Sequence, residues 1–104
     1  MLEKERRAYF DNQNNWKPHL EDKDFQVLEL KYKRLNFYKL QARTSSPNYM
    51  ARRLPDGTYP IRTSWEDKGI FLRLEGEAEL RDSSVTDARN WMRNIDKEEK
   101  QRNE

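Results

Sequence analysis

Eight basic side chains, Lys31, Lys33, Arg34, Lys39, Arg43, Arg52, Arg53 and Arg62, fall within residues 25–64, a stretch with only two acidic residues. Cations at this density neutralise phosphates and release their counterions, and the interleaved rings Phe37, Tyr49 and Tyr59 offer surfaces for an unstacked base. The formal net charge of +2 conceals this segment: residues 25–64 carry +6, whereas residues 1–24 carry −1 and residues 65–104 carry −3. Such a basic centre between neutral and acidic flanks points to an interaction surface. DNA or RNA is the expected partner. An acidic protein surface or a homodimer is the alternative, in which the chain is an adaptor, an inhibitor or a subunit of a larger assembly.

Other groupings carry less chemistry. Glu75, Glu77, Glu79 and Asp82 resemble a carboxylate cluster for a hard cation, but strand alternation spreads the glutamates and no Asp-x-Asp-x-Asp-Gly loop is present, so no metal is expected. These acids are also placed to pair with Arg52, Arg53 or Arg62 across a sheet, which would leave a self-neutralised face. His19 is the single histidine, set in a presumed loop with no nucleophile at a fixed spacing. Cysteine is absent, which rules out disulfides, thiolate nucleophiles and zinc-thiolate sites, and three glycines cannot build a phosphate-cradling loop. A non-catalytic accessory protein with no cofactor is expected. No RNP, KH, zinc-finger or helix-turn-helix pattern assigns it to a named nucleic-acid module.

The elements that must position these residues follow from periodicity. Residues 2–12 use helix formers with Leu2, Arg6, Tyr9 and Phe10 along one side, and the asparagines at 12, 14 and 15 with Lys17-Pro18 then predict a loop. Trp16 in that loop, with Tyr9 and Phe10, forms a candidate protein-contact patch, because exposed Trp is enriched at binding hot spots. Residues 25–43 fit a long helix or a hairpin, and two strands account for more of the apolar positions. Ser45 to Asn48 reads as a loop. Tyr49–Leu54 and Thr58–Trp65 read as a second hairpin around Pro55-Asp56-Gly57. Glu66 to Gly69 reads as a turn, and Leu72, Leu74, Ala78 and Leu80 as one face of a strand that Gly76 interrupts. Ser84 caps a final helix with Asp87 three residues on, and Val85, Ala88, Met92 and Ile95 follow at helical spacing. Trp91 is expected in the core with Trp65 as its partner.

These elements make an α+β domain over residues 1–96. A small antiparallel meander of about four to five strands has a short N-terminal helix and a C-terminal helix packed on one face, and residues 97–104 form a disordered charged tail. Only 19 of the 104 residues are Val, Ile, Leu or Phe, so the core must be thin and rely on its large rings. There is no apolar run long enough for a membrane helix, and the opening Met-Leu-Glu-Lys-Glu-Arg-Arg is charged where a secretory leader is apolar. A cytoplasmic location is therefore expected, with no membrane partner.

Overall fold

The computed structural model describes residues 2–102. Helix α1 (Glu3–Asp11) and a 3₁₀ turn (Gln13–Asn15) precede strands β1 (Lys17–Glu21), β2 (Phe25–Tyr32), β3 (Leu35–Pro47), β4 (Ile61–Leu74) and β5 (Arg81–Ser83), and helix α2 (Val85–Arg102) closes the chain. The strands pair antiparallel in chain order, giving the expected α+β meander with five strands.

Alternation explains which face the helices cover. Leu28, Leu30 and Tyr32 of β2 share a face with Leu35 and Phe37 of β3 and Leu72 and Leu74 of β4. Phe10 of α1 and Ala88, Met92 and Ile95 of α2 close over this face, and Phe37, Leu30 and Leu35 are fully buried. Each such side chain contributes about 1.5–3 kcal/mol. The core is small, and rings enlarge it: Phe10 meets both Trp16 and Phe37 edge-on, at 5.4 and 5.6 Å between centroids. The α2 start matches its sequence signature, since Asp87 N–H donates to Ser84 Oγ at 3.1 Å and Ser84 N–H donates to the Asp87 carboxylate at 3.4 Å.

Several elements differ from the sequence expectation. Residues 17–21 form an edge strand despite Pro18, because an edge can leave one side of its ladder unpaired. β3 runs through Ser45 and Ser46 to Pro47, and β4 runs through Glu66 to Gly69, where an irregularity opposite Leu40/Gln41 absorbs the extra residue that looked like a turn. Tyr49–Leu54 is not a strand. The turn at 55–57 does form, with Gly57 at φ +87° and a backbone bond from Leu54 N–H to Thr58 O of 2.7 Å. Gly76, at φ +86°, turns the chain out of β4, so Ala78 and Leu80 do not continue the Leu72/Leu74 face. The expected tail from residue 97 is helical as far as Arg102, and its last two residues lie outside the described ones.

β3 and β4 outrun their neighbours. β2 pairs with β3 only up to Ala42, with Arg43 N–H still donating to Asp24 O at 2.9 Å, and β5 pairs with β4 only over Ile70–Leu72, so residues 44–47 and 61–64 pair solely with each other. This two-stranded arm, with the loop 48–60 at its tip, gives the protein an elongated outline of 69 × 30 × 18 Å. Among the described residues, no helix is long and apolar enough to cross a membrane.

Candidate nucleic-acid interface

The eight basic residues do not share one sheet face. Lys31 alone of the β2 pair points to the face that the helices leave uncovered. Lys33 sits in the tight β2–β3 turn at φ +52° and reaches α2, where its ammonium lies 2.7 Å from the Glu99 carboxylate and also bonds Asp96. Arg34 pairs with Glu98. Lys39 is on the helix-covered face and is 6% exposed, with its ammonium 4.4 Å from the centre of the Trp16 ring. Lys39 and Arg43 do alternate against Tyr38, Leu40 and Ala42, as the sequence implied. That side of β3 is the one Leu35 and Phe37 share, so Lys39 is covered by the helical layer, whereas Arg43, farther along the strand, is exposed.

Asp96 explains why the turn cations are unavailable. Its carboxylate accepts from Arg6 Nη1 at 2.9 Å, from the Tyr32 hydroxyl at 2.7 Å and from Lys33, so it joins α1, the β2–β3 turn and α2. Burial pushes the Asp96 carboxyl up, but the bonds from Lys33, Tyr32 and Arg6 outweigh it and hold the group below the usual carboxylate range. The same contacts, led by the Asp96 bond, raise the Lys33 ammonium, and burial with the Asp96 bond raises the Tyr32 hydroxyl.

The arm is different. Residues 43–65 contain four arginines, Arg43, Arg52, Arg53 and Arg62, and one acid, Asp56, for a net charge of +3. Asp56 is occupied locally: it accepts from the Thr58 hydroxyl and N–H at 2.6 and 3.0 Å, which keeps its carboxyl low and shapes the tip turn. Among the described residues, none of the four arginines has an ion-pair partner. The cross-sheet pairing with Glu75, Glu77 and Glu79 is absent, since these acids stand beside β5 and Glu77 instead meets Arg81 at 3.3 Å. Rings hold two of the guanidiniums in place: Arg43 lies 4.9 Å from Trp65, and Arg53 lies 5.2 Å from Tyr59 and donates to its hydroxyl at 3.1 Å. Tyr49 packs edge-on against Tyr59 at 5.0 Å. At the arm's root, Gln26 donates to Gln41 at 2.6 Å and Gln41 to Asp67 at 2.7 Å, fixing the register where the sheet narrows to two strands.

No family model, curated protein or solved structure matches this chain. Its function must be read from its own geometry.

The expected protein-contact patch is corrected by burial. Phe10 and Trp16 are 3% and 4% exposed, Trp16 Nε1–H donates to Phe10 O at 2.9 Å, and the Tyr9 hydroxyl donates to Lys31 O at 2.7 Å. Phe10 and Trp16 are core residues, because the asparagine-rich segment folds Trp16 back under α1, and Tyr9 packs partly buried against them. Trp65 is on the arm and is not the partner of Trp91, over which Arg81 lies at 5.5 Å. The uncovered face is apolar in its centre, where Leu20, Val27, Leu40, Phe71 and Leu80 line a groove of about 480 Å³. His19 borders it, 3.4 Å from Glu29 and with its ring tilted against that of Tyr38 at 5.1 Å between centroids. Among the described residues, no group of three His, Asp or Glu side chains is close enough to hold a metal ion.

Proposed function

We propose that this chain is a small, non-catalytic nucleic-acid-binding accessory protein, and that the arm, rather than a sheet face, makes the contact. The observation that carries the proposal is the projecting ribbon with four arginines and no compensating carboxylate beside them. A two-stranded antiparallel ribbon has the width that the major groove of B-form DNA admits, and arginine is the side chain best suited to phosphates and guanine edges. Duplex DNA is therefore the preferred ligand. Lys33, Arg34 and Lys39 belong to folding, not to contact.

The test is a salt titration of binding to a mixed-sequence duplex and to a single strand. Duplex affinity falls as salt rises, and replacing Arg43, Arg52, Arg53 and Arg62 by Gln flattens the plot of log affinity against log salt by roughly 3 to 4. No binding at low salt, or an unchanged slope in the variant, removes the proposal.

A second reading, association with a protein or a second copy, is favoured by the uncovered groove, whose rim residues Leu20 and Leu80 are 64% and 53% exposed. Light scattering separates the two. A dimer mass that Leu80→Asp returns to a monomer supports the groove, and a monomer at every concentration leaves that reading without support.

A further inference from the structure

Four arginines from opposite ends of the chain meet in one cleft. α1 supplies Arg6 and Arg7, α2 supplies Arg89 and Arg93, and the packed helices enclose about 290 Å³ between them, with Glu3, Thr86 and Asn90 also lining the space. Two of the four are compensated: Arg6 by Asp96 at 2.9 Å, and Arg89 by Asp11 at 3.4 Å, a loose contact. Among the described residues, Arg7 and Arg93 have no ion pair, and Arg93 bonds only the neutral Asn90 side chain. Arg89 and Arg93 are also four residues apart on α2, where like charges repel. The fold thus concentrates positive charge in a concave site, although the two segments that build it are the neutral and acidic parts of the sequence.

We infer that this α1–α2 cleft binds a phosphate group, held by Arg7 and Arg93 with Arg89 in support. Guanidinium forks match phosphate oxygens in pairs, and an anion there cancels the repulsion that the empty cleft carries. The apolar walls of a hydrophobic ligand site are missing, so the recognised chemistry is the charged group itself. Its source is either a free phosphate compound or a phosphate of a nucleic-acid backbone, and the cleft is separate from the arm in either case.

Thermal unfolding at constant ionic strength tests this with inorganic pyrophosphate as the probe and sodium chloride as the control. Pyrophosphate raises the Tm of the intact chain by about 5 °C, and matched chloride does not. The double variant Arg7→Gln/Arg93→Gln loses this response yet melts no lower than the parent in probe-free buffer, because relief of repulsion offsets the loss of the exposed Arg93–Asn90 bond. A variant that still responds fully, a parent that does not respond, or a variant that melts several degrees lower without probe overturns the inference. Duplex titration then assigns the source: the double variant binds duplex more weakly if the phosphate is nucleic-acid backbone, and unchanged if it is a free compound. The arm variant keeps its pyrophosphate response, so failure of the arm proposal and failure of the cleft are told apart.

Discussion

At their Leu35/Leu74 end, β3 and β4 lie between β2, β5 and two helices, while at their Pro47/Ile61 end the same strands have only each other. Each environment treats charge in its own way. In the packed end, Arg6, Lys33 and Arg34 are each matched by an acid of α2, and Asp96 alone collects three donors. In the arm the four arginines face solvent, and two of them, Arg43 and Arg53, lean on rings. A cation that stabilises the fold is neutralised by it, and one left uncompensated by the fold is available to a partner.

Substitutions should divide along the same line, and the largest effect belongs to the packed end. Phe37→Ala empties the centre of the core and costs about 4 kcal/mol by urea denaturation, whereas Trp65→Ala in the arm stays near 1 kcal/mol or below. A comparable loss for both would mean the arm is part of the cooperative core.

Next in size, the four arm arginines changed together to Gln weaken duplex binding about a hundredfold at low salt and leave the urea midpoint within error. A large drop in midpoint would show that they support the fold instead.

Asp96→Asn costs about 2 kcal/mol, because three donors lose a charged acceptor. The pH dependence checks the cause. Asp96 has a lowered carboxyl, so its contribution is present above the ordinary carboxylate value of 3.8 and is lost as pH falls through the lower folded value. Lys33 and Tyr32 are raised, so their contributions are full below their ordinary values of 10.5 and 10.0 and are lost as pH rises beyond them. The parent therefore loses stability in both acid and strong base, and Asp96→Asn flattens both limbs. A variant with the parent's profile would show that the hub does not set it.

The smallest effect is Gly57→Ala at the arm tip, where φ +87° strains any side chain although nothing crowds it; about 1 kcal/mol, seen as faster amide exchange in residues 54–58, is expected. No change in exchange would mean that the tip turn relaxes freely.

Local signals carried far in this chain. The Ser84/Asp87 cap, the hairpin of residues 25–43 and the Pro55-Asp56-Gly57 turn were all legible, because each depends on neighbours within a few residues. Where one strand ends was not legible, since Ser45 to Pro47 and Glu66 to Gly69 look like turns and become strand only because the first pairs with Ile61 to Thr63 and the second with Leu40 to Ala42. The arginine cleft was equally hidden: Arg7 and Arg93 are 86 positions apart in segments of net negative charge.

Composition and spacing by themselves determined a thin, ring-dependent α+β domain and a basic centre, for these follow from residue types and local periodicity. Which cations remain open was decided only by the tertiary structure. Charge is a property of a residue, but neutralisation is a property of a distance, and α2 comes within bonding distance of Lys33 and Arg34 while never reaching the arm.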